Sequence, residues 1–161
     1  MSDSRMPAQS TVPRLVPIFN PLVQRLMGAG LPFGPNVLLT VHGRKSGLDR
    51  TFPVALMETG GRLYVQSPYG EVNWVRNLRA SGDAVLTREH RRIPVAAVEL
   101  EPEVGGRVIR DAVAPYLRRR LTAAFMHIFV PLRRDASIEE YVAHVRRHPV
   151  FELRPLKDAA R

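Results

Sequence analysis

The run Gly43-Arg44-Lys45-Ser46-Gly47, followed closely by Arg50, sets three cations, a hydroxyl and two glycines in the bend between the apolar segments "VLLTVH" and "TFPVALM". Glycine lets backbone N–H groups come close to a phosphate, while guanidinium, ammonium and hydroxyl groups bind and neutralise its oxygens. The chemistry on offer is anion binding. It is not a nucleotide P-loop, which needs a glycine where Leu38 stands, a lysine directly after the second glycine, and a helix next. Here Arg44 intervenes and "DRTFPV" runs on as a strand. Spacing alone leaves an ordinary charged hairpin open beside a phosphate cradle.

Other catalytic sets are poorly supported. Histidines 42, 90, 127, 144 and 148 show no metal-ligand spacing. His144 and His148 share an i, i+4 helix face beside Arg146 and Arg147 and are read as solvated helix histidines. There is no G-x-S-x-G elbow, so Ser46 and Ser67 are read as hydrogen-bonding groups and not as nucleophiles. Cysteine is absent, which removes disulfides and thiolate metal sites and leaves any redox chemistry to a bound cofactor.

The elements that must position these groups follow from periodicity. "VLLTVHG", "RTFPVALME" and "RLYVQS" alternate with period two and predict a meander, with Thr59-Gly60-Gly61 as a tight turn. Pro53 inside the second strand calls for an edge or a bulge. "GEVNWVRNLRASG" predicts a short helix on Val72, Val75 and Leu78, closed by Gly82. "DAVLTRE" and "RRIPVAAVELE" predict a further hairpin through Glu89 and His90. "PEVGGRVIRDAVAPYL" predicts a helix, "RLTAAFMHIF" its continuation after a kink at Pro115, and Ser137 with Glu140 a capping box before "IEEYVAHVRRH". "VFELRP" reads as a last strand. Strands first and helices late argue for α+β architecture, an antiparallel barrel of about six strands with flanking helices.

With 161 residues, 45% of them hydrophobic, the chain suits one globular domain, placed at 15–156 with a helical insertion at 102–148. Residues 1–14 read as a flexible segment and 157–161 as a tail. A helix is expected over 20–27, capped by Asn20 with Pro21 at its first position, either packed on the barrel or lying on a membrane surface. No segment resembles a secretory signal or a membrane span, so the protein is read as soluble, and the absence of cysteine fits a cytoplasmic one.

Net charge is +9, from 24 basic and 15 acidic residues. The basic residues are nearly all arginine in scattered pairs, and aromatics are only 7%, which disfavours a nucleic-acid partner and favours an anionic small molecule or membrane surface.

"LLTVHGRKSGLDRTFPVAL" followed by "GGRLYVQSPYGEVNWVRNLRASGDAVL" resembles the deazaflavin-dependent nitroreductase family of split β-barrel oxidoreductases, which use coenzyme F420. The likeness runs from about residue 36 to 101, and the pairing of G-R-K-S-G with a later W-x-x-N-L-R is what makes it specific. It implies that Arg44, Lys45, Ser46 and Arg50 bind the cofactor's phosphate and polyglutamyl tail. Pro53, Val54 and Leu56 are implied to lie against the deazaflavin. Ser67, Pro68, Tyr69 and Gly70 are implied to form a covering loop, with Trp74 and Asn77 on a helix that closes the pocket.

Tyr116 is the implied catalytic tyrosine and Tyr69 the second candidate, orienting substrate and donating a proton. Where relatives carry a lysine after the loop serine this chain has Pro68, so Arg76 or Arg79 is expected to substitute.

The resemblance implies an F420H2-dependent oxidoreductase passing hydride to a hydrophobic acceptor such as a quinone, nitroaromatic or enone. The alternatives are a non-catalytic F420 or fatty-acid binder touching anionic membrane at the inner face of the plasma membrane, and an FMN-using reductase. The sequence leaves the oligomeric state open, with a homodimer among the options.

Overall fold

The computed structural model describes residues 36–117, 130–133 and 135–156. The helix expected over 20–27 and the continuation expected at 121–128 lie outside the described residues. Six strands are present: β1 (Asn36–His42), β2 (Asp49–Thr59), β3 (Arg62–Gln66), β4 (Asp83–Arg88), β5 (Arg91–Glu99) and β6 (Val150–Pro155). Three helices accompany them among the described residues: α1 (Asn73–Ser81), α2 (Pro102–Leu117) and α3 (Ile138–Arg147).

Alternation decides which face each strand buries. Val37, Leu39 and Val41 are at most 1% exposed, whereas Leu38, Thr40 and His42 point outward. All pairings are antiparallel, and the order β1-β2-β3-β6-β5-β4 closes because β4 pairs back onto β1. Closure pairs the edges of β4 and β1 over Leu38–Thr40 and leaves one side of Asp49–Ala55 on β2 without a strand neighbour.

The hairpin turns obey the same economy. Gly60 and Gly61 both take the left-handed region, as a two-residue turn needs. Glu89 and His90 do so without glycine, at roughly 1 kcal/mol each.

β2 changes partners along its length. Asp49 to Ala55 pair with β1, and β3 joins only from Leu56 onward. Pro53, opposite Leu38, therefore sits where β2 has a single neighbour and its missing N–H costs no ladder bond. This hand-over splits the barrel.

Two apolar cores result. One fills the barrel, where Leu39, Val65, Leu86, Val95 and Phe151 meet Trp74, Val75 and Leu78 of α1. The other lies between the outer face of β3 and the helices, around Tyr64, Ile109, Val113, Tyr141 and Val145.

Helix α1 ends at Gly82, in the left-handed region. Helix α2 runs through Pro115 to Leu117. Helix α3 opens with the Ser137–Glu140 capping box, the Glu140 N–H reaching the serine hydroxyl at 3.3 Å and the Ser137 N–H reaching the glutamate at 2.7 Å. No helix among the described residues is long and apolar enough to cross a membrane.

Candidate active site

The β1–β2 turn is built to be rigid. The Gly43 N–H donates to the Leu48 carbonyl at 2.9 Å and the Gly47 N–H to the Gly43 carbonyl at 2.8 Å. Ser46 Oγ accepts the Leu48 N–H at 3.3 Å. A Cβ on Gly43 would stand 2.7 Å from the Leu48 oxygen, so the loop has no room for a side chain there. The N–H groups of Lys45 and Ser46 have no backbone partner among the described residues.

Between this turn and α1 lies a cleft of about 660 Å³. Arg44, Lys45, Ser46 and Arg50 line one side, Asn73 and Asn77 the other, and Thr51 and Phe52 belong to its β2 wall. Asn77 is 4% exposed, and its Oδ1 accepts Arg44 Nη1–H at 2.7 Å, with the Arg44 N–H at 3.5 Å. This contact joins the two motifs that the sequence separates by 33 positions. A neutral amide fixes the guanidinium without spending its charge.

Among the described residues, none of Arg44, Lys45 and Arg50 has a carboxylate within ion-pairing distance, and the lining acid Asp49 is hydrogen-bonded to His42 Nδ1 at 3.1 Å. Three cations without a carboxylate partner and two N–H groups without a backbone acceptor, among the described residues, suit a phosphodiester and the carboxylates that follow it. A family model described as F420H(2)-dependent quinone reductase matches residues 20–121. The chain belongs to that family. It is an oxidoreductase whose cofactor is coenzyme F420, and the cleft's donor set fits that cofactor's anionic arm.

No curated protein matches the reductase. Solved structures share its fold at low identity. One is an F420-H2 dependent reductase, FDR-A, with TM-score 0.50 and 23% identity, covering 74% of this chain and 93% of that one. A second is a candidate 5-nitroimidazole antibiotic resistance protein from Bacteroides thetaiotaomicron, with TM-score 0.50 and 12% identity over 82% of this chain and 78% of that one. A third, a domain-swapped dimer, has TM-score 0.50 and 20% identity over 85% and 97%.

The remaining residues singled out from the sequence fall elsewhere in the reductase. Val54 and Leu56 turn their side chains into the barrel core, and half-exposed Pro53 takes the opposite face of β2. Phe52 supplies the apolar wall of the cleft instead. Its signal was available, since a period of two puts it on the same side as Arg50. Trp74 does not line the cleft: it is buried with its ring 6.1 Å from that of Phe151, and Asn73 and Asn77 are what α1 presents.

Ser67 to Gly70 form a bend between β3 and α1. The Ser67 hydroxyl donates to the Gly70 carbonyl at 2.6 Å, and Tyr69 is 41% exposed at the bend's tip. Tyr116 falls in the last turn of α2, and its side chain lies outside the described residues.

Two expectations require correction. Arg79 is not available to replace the cation missing at Pro68. Its Nε and Nη2 donate to the two oxygens of Glu99 at 2.6 and 2.7 Å, and Nη1 donates to Glu71 at 2.6 Å. Those bonds, Glu99 first, hold the guanidinium charged well above its ordinary range. Arg76 is exposed on the same helix.

The second concerns His144, which is not solvated. It is 2% exposed, stacks on His148 with ring centroids 4.3 Å apart, and accepts the Gln66 amide N–H at Nε2 across 2.6 Å. Burial, with His148 and Arg147 adding to it, lowers its pKa to about 4.

Proposed function

We propose that this reductase passes reducing equivalents from F420H2 to a hydrophobic acceptor of the quinone, nitroaromatic or enone class, holding the cofactor's phosphate and tail in the hairpin cleft. The observation that carries this reading is a set of three cations, none paired with a carboxylate among the described residues, keyed to α1 by the Arg44–Asn77 bond, while the lining acid Asp49 is taken up by His42. Arg44 and Arg50 would bind anionic oxygens through their planar forks, Lys45 would act as a point charge, and Ser46 would add its hydroxyl. The N–H groups of Lys45 and Ser46 would complete the cradle.

When bound, the reduced deazaflavin supplies a hydride from C5. This chain's own residues orient and electrostatically hold the partners. The backbone of β2 at Pro53, Val54 and Leu56 runs on from the cleft and is assigned to the ring's edge. Ser67, Pro68, Tyr69 and Gly70 are assigned to its cover, and Asn77 and Trp74 to the helix behind it, Trp74 through packing alone. Tyr69, exposed at the tip of that bend, and Tyr116, at the end of α2, are the side chains assigned to orient the acceptor and donate a proton to it. Water serves as an alternative proton source.

A titration with F420 and a turnover assay test the reading together. Wild type should bind F420 and oxidise F420H2 with menadione, and Lys45→Ala and Arg50→Ala should each weaken binding about tenfold, the loss of one charge-assisted contact. F420 affinity indifferent to both substitutions would sink the placement in the cleft. Binding without turnover across quinone, nitroaromatic and enone acceptors would sink the acceptor assignment.

A further inference from the structure

Five polar or charged residues are buried among the described residues: Gln66, Ser67, Asn77, His144 and Glu152. Asn77 serves the cleft, and Glu152 is paired with Arg154 and Arg62. The other three meet at one point, where the C-terminus of α3 packs against the end of β3. Neither histidine of this cluster lies within the span matched by the family model, residues 20–121.

The hydrogen bonds run in one direction. The Gln66 amide donates to His144 Nε2, which obliges the neutral His144 ring to carry its proton on Nδ1. The His144 ring lies against that of His148, their planes inclined by 27°. His148 Nδ1–H in turn donates to the Ser67 carbonyl at 3.2 Å.

Ser67 is held on every side. Its N–H reaches the Pro149 carbonyl at 3.0 Å and its hydroxyl reaches Gly70. Beyond the bend, Glu71 is fixed by Arg79, and α1 then opens with Asn73 on the cleft. The path from His148 to the cleft wall is thus short and continuous.

We propose that His148 is a positioning residue of the reductase: its Nδ1–H bond to the Ser67 carbonyl, aimed by the stack on His144, sets the bend Ser67–Gly70 and through it the start of α1 beside the cleft. The effect on F420 rests on the cofactor reading above; the effect on the bend does not.

Two substitutions of similar size separate this role from simple packing. His148→Asn puts an amide N–H where Nδ1–H stood, whereas His148→Gln carries its nitrogen to the place of Nε2 and loses the bond. His148→Ala removes both ring and donor. Hydrogen exchange is read at the amides of residues 67–77 without cofactor, and F420 dissociation constants are measured in parallel.

Exchange in this segment should rise about tenfold in His148→Gln and His148→Ala, with His148→Asn close to wild type, the size expected for one net hydrogen bond. F420 affinity should follow the same order. Asn and Gln variants that behave alike, or a loosened bend with unchanged F420 affinity, would overturn the proposal. A wild type that fails to bind F420 would remove the cofactor reading instead, while the exchange rates of the Asn–Gln pair would still decide the positioning role.

Discussion

Two groups of arginines on this barrel make opposite use of the same side chain. On α1, Arg79 is enclosed by Glu71 and Glu99, which take three of its donors. At the β1–β2 turn, Arg44 is fixed by an amide, and neither it nor Arg50 meets a carboxylate among the described residues. Local carboxylate supply, and not the net charge of +9, separates a structural cation from a binding one. Arg88 beside Glu58 and Arg146 beside Glu103 belong with Arg79.

The largest effect that tests this contrast is at Arg44. Arg44→Ala should weaken F420 binding about a hundredfold, as losing a charge-assisted contact of ~2–3 kcal/mol predicts, with thermal unfolding little changed. The wild-type affinity should fall steeply with salt and the variant's less so. Unfolding that shifts by more than the affinity does would place Arg44 with Arg79.

Acid probes the buried histidine in the same manner. His144 is held neutral in the folded protein to about pH 4, whereas its ordinary value is 6.5. The unfolded chain therefore binds the extra proton between these values, so stability is full above about pH 6.5 and declines as pH falls toward 4, by roughly 2 kcal/mol. Denaturant melts of wild type and His144→Gln from pH 7 to 4.5 should show a slope that the variant flattens. Equal slopes would mean that His144 does not carry the effect.

Arg79→Met reverses the pattern seen at Arg44. It should cost about 1 kcal/mol of stability, modest because the pairs are partly exposed, and leave F420 affinity within about threefold. The smallest effect is a gain. Pro68→Lys restores the cation that the resemblance expects, and F420 should bind a few-fold tighter by titration, consistent with a solvent-screened contact.

The barrel was legible because its signals are local. Period-two alternation gave the strands, Gly60-Gly61 and Glu89-His90 their turns, and of the edge or bulge that Pro53 called for, the structure has the edge. The G-R-K-S-G turn and the W-x-x-N-L-R helix could be paired from sequence, and the Arg44–Asn77 bond now gives that pairing a physical form.

The relations that escaped were tertiary. His144 and Gln66 are 78 positions apart, and only the packing of α3 on the outer face of β3 buries the ring. Arg79 looked free because its acids lie in a loop and on β5. Trp74 was placed at the pocket by the resemblance alone, and its ring enters the barrel core while Asn73 and Asn77 of the same helix line the cleft.

The partner change along β2 also has a mechanical meaning. Beyond Thr40, β1 has no neighbour but β2, and before Leu56, β2 has none but β1. The residues that carry the cations are thus a two-stranded cantilever clamped at its root in the barrel wall. Val41 anchors that ladder in the barrel core and the Arg44–Asn77 bond ties the turn beyond it to α1, so the cleft's two walls are held together at the root and at the tip.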